Sequence, residues 1–183
     1  MVTIDLITGF LGSGKTTFLK KYAEYLMDQG LHIGILENDF GAINVDMLML
    51  HELRGDQCEL EMIAGGCDAE SHRRRFRTKL ISMRMCGYDR VLVEPSGIYD
   101  VDEFFDVLRE EPLDQWYEIG NVIAILDARL EKNLSQQADY LLASEAANAG
   151  KVILSHADAA TREQCEDLSL IHISEPTRHA QIS

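Results

Sequence analysis

GFLGSGKTT, running from Gly9 to Thr17, follows directly on the apolar run Val2 to Thr8 and leads directly into a stretch with helical spacing. Gly-x4-Gly-Lys-Thr in that setting predicts a phosphate-binding loop between a strand and a helix. The spacing has a mechanical basis. Glycines at 9, 12 and 14 let successive backbone N–H groups turn inward, and the helix that follows adds the positive end of its dipole. Lys15 is expected to reach the β and γ phosphates and to stand exposed when no ligand is bound. The hydroxyl of Thr16 is expected on Mg2+. The N–H groups of Gly12, Ser13, Gly14 and Lys15, together with Thr17, would hold the remaining oxygens. A Gly/Ser-rich turn before an ordinary helix is the plain alternative, but strand, loop and helix all agree with the phosphate reading.

Outward from the loop, Phe18, Leu19, Tyr22, Ala23, Leu26 and Met27 recur at three- and four-residue steps until Gly30, which predicts a helix with one face on a sheet. Leu31 to Glu37, Val91 to Glu94, Val122 to Asp127 and Val152 to Ser155 read as short apolar strands, Asn38 to Asp46 as a loop and Leu60 to Ile63 as a short extended piece. Between them, Phe76, Leu80 and Met83 mark a helix closed by Gly87, and helical patterns occupy Val101 to Glu110 and Ser135 to Asn148. Short apolar strands alternating with helices predict a three-layer α/β/α fold of the P-loop NTPase type with a mainly parallel sheet. Ligands in such sheets sit at the carboxyl ends of the strands.

The 183 residues, 46% hydrophobic, suffice for one core. No apolar run is long enough to span a membrane, and Met1 leads straight into the first strand, so neither a membrane nor a targeting segment is expected. Cys58, Cys67, Cys86 and Cys165 lack the spacing of a disulfide framework, which fits a reducing cytoplasm. Seventeen basic against thirty-one acidic side chains leave a formal charge of −14, which repels a nucleic-acid backbone. Residues 168–178, LSLIHISEPTR, read like the in-frame translation of a sequencing-library adapter. On that reading residues 1–167 are one domain, cut short at its C-terminus, and 168–183 are a non-native tail. A native amphipathic tail is the alternative.

DRVLVEPSG is the second informative element, because the apolar strand Val91 to Val93 ends on Glu94. An acid at a strand tip beside a phosphate loop can hold Mg2+ or its water, directly or through Thr16. Gly97 can present its N–H to a γ-phosphate and move when that phosphate leaves, which is the chemistry of a switch.

Taken together, ITGFLGSGKTT, the NDFG of Asn38 to Gly41, the Gly-Gly-Cys of residues 65–67 and VEPSG resemble the CobW/HypB/UreG group of P-loop GTPases. The resemblance implies GTP binding, slow hydrolysis and delivery of a metal to a client metalloprotein, or assistance to metallocofactor assembly. It also implies a nucleotide-dependent homodimer or partner docking, with Asn38 to Gly41 and Glu94 to Gly97 as switch regions. This chain departs from the family pattern twice. Where CobW-type members continue into Cys-x-Cys-Cys, it reads Cys67-Asp68-Ala69-Glu70, leaving one thiolate. Either Cys67, Glu70, Asp39 and His72 form a mixed site for Zn2+ or another transition metal, or Cys67 is a small buried residue and His72 faces solvent. Where guanine-specific members have Asn-Lys-x-Asp, the chain reads Ser155-His156-Ala157-Asp158. Asp158 keeps the acceptor for the guanine edge and His156 can stack, so GTP is expected with ATP left open.

The basic run Arg73, Arg74, Arg75, Arg77, Lys79 reads as a solvated helix face or as a grip for an acidic partner. Asp127 caps the segment after its strand, and Trp116 packs at an edge. The whole predicts a hydrolysis-driven switch in which Lys15 and Mg2+ offset charge on the transferred phosphoryl group and Glu94 positions the ion or the water. An ATP-dependent small-molecule kinase or biosynthetic enzyme on the same fold is the alternative.

Overall fold

Neighbouring residues along the strands belong alternately to two apolar clusters, as a sheet covered on both faces requires. Residues 1–10, 12–39, 45–64, 69–95, 101–129 and 143–161 are described by a computed structural model. Six strands, β1 (Val2–Gly9), β2 (Ile33–Asp39), β3 (Cys58–Ala64), β4 (Arg90–Pro95), β5 (Tyr117–Asp127) and β6 (Lys151–Ser155), form one sheet in the order β3-β2-β4-β1-β5-β6. Every pairing between these strands is parallel. On one face Ile4, Leu6, Leu36, Val91, Val93, Val122 and Ala124 pack with α3 (Ala69–Arg84), α4 (Val101–Leu108) and α5 (Leu113–Trp116). On the other, Ile7, Ile33, Ile35, Leu92, Ile123 and Ile125 pack with α1 (Lys15–Asp28) and α2 (Val45–Leu50). The three-layer α/β/α architecture follows. Phe76, Leu80 and Phe104 are fully buried, each stabilising the fold by about 1.5–3 kcal/mol relative to exposure.

The element ends differ from the sequence expectation in ways that packing explains. β5 begins at Tyr117, well before the apolar run at Val122, because Val2, Thr3 and Ile4 of β1 supply backbone partners for Tyr117, Glu118 and Ile119. Glu118, Ile119 and Gly120 are exposed there, so no apolar period marks the extension. β2 lies two residues later than expected, in register with β3 from Ile33↔Cys58 to Asp39↔Ala64. α4 ends at Leu108; its apolar stripe Val101, Phe104, Val107 and Leu108 is buried, and Asp102 and Glu103 complement the dipole of its first turn. Residues 143–148 are helical, and the earlier part of the expected Ser135 to Asn148 helix lies outside the described residues. The 168–183 segment does too.

Two expectations about surface residues change. Arg73 and Arg77 both pair with Glu110, at 2.6 and 3.0 Å, and Lys79 pairs with Glu61 at 2.8 Å. These three cations of the basic run therefore tie α3 to its neighbours. His72 is buried, not solvent-facing, with Nδ1 3.1 Å from Glu103 Oε1 of α4. Phe76, four residues on, is buried on the same helix face, which carries His72 inward as well. Trp116 is partly buried at the margin of the core, as expected.

Candidate nucleotide site

α1 begins without the devices that usually finish a helix. Gly14 is its N-cap, in the left-handed region at φ 91°, no side chain caps the first turn, and no acid stands there. Orphan N–H groups and an uncompensated dipole are left facing the loop, where an anion would complete both. Gly9 explains how the loop fits. A Cβ there would collide with the Ile125 carbonyl and approach Ser13 Oγ to 2.9 Å. Ser13 Oγ is itself buried and has no hydrogen-bond partner among the described residues. A donor in that position, beside an uncapped helix start, fits a phosphate oxygen.

Lys15 departs from its expected exposure. It is 7% exposed, and its Nζ donates to the carbonyls of Gly9 at 2.9 Å and Phe10 at 3.3 Å. An ammonium with three donors cannot stay unpaired in a confined loop, so the loop's own carbonyls take the place of phosphate oxygens. Thr16, also buried, donates from Oγ1 to Glu94 Oε1 at 2.8 Å. The loop and the tip of β4 thus meet through the two groups expected to share Mg2+.

Glu37 is a residue the sequence reading passed over. It is buried at 3% exposure near the end of β2 and is the direct register partner of Glu94. Paired residues in adjacent strands project to the same face, which sets two buried carboxylates side by side. Such a pair is costly without a cation. The signal was in the sequence, since LHIGILE ends on an acid after an apolar run just as RVLVE does.

β6 forms the other wall. A Cβ on Gly14 would stand 3.9 Å from Ser155 Cβ, which brings the end of β6 against the loop. Ser155 Oγ donates to the Leu126 carbonyl at 3.2 Å, and so holds β6 to β5. The next residue, His156, takes a left-handed φ of 52°, with Nδ1 3.2 Å from both Ser155 Oγ and Asp127 Oδ2. Asp127 accepts from Arg129 N, Nε and Nη2 at 2.9, 3.0 and 2.7 Å, capping the turn as expected. Those bonds to Arg129, more than the nearby His156, hold the Asp127 carboxyl down at about 2. Asp158 lies in the exposed turn beyond, within electrostatic range of Arg129.

Gly97 and Cys67 lie outside the described residues, as do Phe40 and Gly41. Asp39 closes β2, and Glu70 is exposed in the first turn of α3. Among the described residues no group of three or more His, Cys, Asp or Glu is arranged to hold a metal ion. No helix among them is long and apolar enough to cross a membrane.

An unfinished helix start beside a threonine–glutamate contact at the ends of parallel strands is explained by a phosphate chain with its cation, which defines the class: a P-loop nucleotide-binding protein. Comparison with known proteins narrows it. Residues 3–182 match the CobW/HypB/UreG nucleotide-binding domain, and the chain belongs to that family. It is 28% identical over 164 residues to the zinc chaperone YeiR of Escherichia coli, covering 89% of this chain and 49% of that protein. To the zinc chaperone YjiA of the same organism it is 29% identical over 172 residues, covering 87% and 50%. The chain therefore spans about half the length of these curated relatives. Solved structures agree on the fold. A Zn(II)-bound YjiA GTPase from E. coli superposes with a TM-score of 0.55 at 21% identity, covering 92% of this chain and 54% of that one. The signal recognition particle receptor FtsY from Elizabethkingia anophelis gives 0.64 at 17% identity, covering 100% and 62%.

Proposed function

We propose that this chain is the nucleotide-binding part of a GTP-hydrolysing switch that assists metal delivery or metallocofactor assembly. The observation that carries the nucleotide reading is the Thr16–Glu94 contact at 2.8 Å beneath the uncapped start of α1. The metal reading is supported by the relatives, which are named zinc chaperones.

In this reading the N–H groups of Gly12 to Lys15 and Thr17 grip the phosphates, with Gly9 opening the loop. Lys15 leaves the carbonyls of Gly9 and Phe10 to meet the β and γ oxygens. Thr16 and Glu94 are the ligands expected for Mg2+, directly or through water, with Glu37 alongside. Bound Mg2+ would neutralise charge on the phosphoryl oxygens as the γ group departs. Gly97 would sense the γ-phosphate, and Ser155 and Asp158 would form the base side of the pocket. A transition-metal site drawing on Cys67, Asp39 and Glu70 has positional support: Asp39 is in register with Ala64, three residues before Cys67, and Glu70 follows three residues after it. A client metalloprotein, a nucleotide-dependent homodimer, slow turnover and a cytoplasmic setting complete the proposal.

Titration of fluorescently labelled GTP and ATP against the wild type and Lys15→Ala tests it. The variant is expected to lose about two tenfold steps of affinity, since each charge-assisted phosphate contact contributes about 1.5–3 kcal/mol. Equal affinity in the two proteins would remove the phosphate-loop assignment. Intrinsic turnover without an added acceptor is expected of a switch; turnover that requires a small acceptor would indicate a kinase.

A further inference from the structure

Glu145 plays no part in the reading above, yet among the described residues only Asp5, at the far end of the sheet, is a more deeply buried carboxylate. Glu145 sits in helical residues 143–148 and is 2% exposed. Its Oε1 accepts from Thr8 Oγ1 at 3.0 Å. Its Oε2 is buried with no hydrogen-bond partner among the described residues. Burial holds its carboxyl above the ordinary carboxylate range, against the opposing pull of the Thr8 hydroxyl, the Lys15 charge and the Gly9 N–H. Lys15, meanwhile, is drawn back onto the carbonyls of Gly9 and Phe10, the two residues that follow Thr8.

We propose that Glu145 is a positioning residue that braces the root of the phosphate-binding loop and competes with bound phosphate for the Lys15 ammonium. The inference rests on the nucleotide reading above and deepens it.

A buried acid that satisfies only one of its oxygens leans on nearby positive charge as well as on that hydrogen bond, and the Lys15 ammonium supplies charge on its loop side. When a triphosphate enters, its oxygens bring further negative charge into the same poorly screened space and draw Lys15 toward themselves. Glu145 then loses part of its counter-charge and faces like charge across the loop, so its presence opposes binding. The Thr8 hydrogen bond acts the other way, by fixing the strand from which the loop departs. Burial outweighs the Thr8 hydroxyl, Lys15 and the Gly9 N–H in setting the carboxyl's affinity for its proton, so the counter-charge Lys15 gives matters to its ionised form.

Glu145→Gln separates the two roles, because its amide oxygen still accepts from Thr8 while the charge is gone. Kd and dissociation rate for labelled GDP and a labelled non-hydrolysable GTP analogue would be measured on the full chain with Mg2+ at neutral pH. The expected result is tighter binding by about 3-fold to 10-fold, through slower release, and a larger gain for the triphosphate than for the diphosphate. A purely structural residue would give unchanged or weaker binding with no split between the two ligands. Unchanged or weaker binding by a variant that melts like the wild type would overturn the proposal. Thr8→Val is the second arm. It frees the carboxylate to turn to Lys15 and is expected to weaken triphosphate binding; unaltered binding there would also overturn it. A wild-type chain that binds neither nucleotide would overturn the nucleotide reading itself, an outcome distinct from these.

Discussion

Lys15 and Thr16 are both held by hydrogen bonds that involve a charged group, and charge is where sequence reading and structure part most. The motif marks Lys15 as the expected phosphate lysine but says nothing of its bonds to the Gly9 and Phe10 carbonyls, because a motif describes the liganded loop. Glu37 differs: its place at the end of an apolar run is visible in the sequence, and its nearness to Glu94 comes only with the strand register. Asp158 is proposed to read the base from its place in the turn after β6. Its replacement by Ala is expected to weaken GTP by about a hundredfold and ATP far less, since guanine N–H groups left unpaired carry the discrimination. Competition titrations with both nucleotides check it; equal losses would mean the base is read elsewhere. Asp127 allows a pH prediction with a definite sign. Its carboxyl is held at about 2, below the ordinary 3.8, chiefly by Arg129. The stability it contributes is therefore full above about pH 4 and is lost as pH falls through about 2. Denaturation of wild type and Asp127→Asn should show a constant gap from neutral pH down to about pH 4, closing below it.

At the scale of elements, strand and helix order was readable because apolar runs and turn glycines alternate along the chain. Boundaries were less so. β5 gains its first residues from pairing with β1, a long-range backbone effect that leaves no pattern in Glu118 to Gly120. At the amino end of the sheet, Asp5 of β1 is fully buried and accepts from Arg90 of β4 at 2.7 Å, Tyr22 of α1 at 2.9 Å and the Asn121 N–H of β5 at 2.6 Å. An apolar strand reading gives no hint of this network. It joins three strands and a helix through one carboxylate, and Arg90 is its cation. Arg90→Leu is expected to cost about 3–5 kcal/mol of stability, because it leaves a buried charge uncompensated. Adding Asp5→Asn should recover part of the loss. Urea unfolding of the single and double variants reads both numbers.

For the molecule as a whole, the parallel sheet gathers its chemistry at one end: the loop after β1, Glu37 on β2, Glu94 on β4 and Ser155 on β6 all lie toward the carboxyl tips. That convergence was foreseeable from alternating strands and helices alone. The part Cys67 would play was less so, since only one cysteine of the expected motif is present and chemistry shared among loops has no periodicity. The tail makes a prediction at this scale. If residues 168–183 derive from an adapter, no selection fitted Leu170, Ile171 or Ile173 to a core, and Pro176 stops any helix from running through them. Ending the chain at Asp167 should leave melting temperature and GTP affinity nearly unchanged. A large destabilisation on trimming would show the segment to be integral.

The bare start of α1 has a consequence for the folded state itself. A helix whose first turn has neither a capping side chain nor an acid is an incomplete piece of secondary structure, and a bound phosphate chain would finish it. Nucleotide then belongs to the fold as much as to the function: at a hundred times its Kd it would add about 2.7 kcal/mol to stability. The supply of nucleotide in the surroundings would in this way set how long the protein lasts, not only what it does.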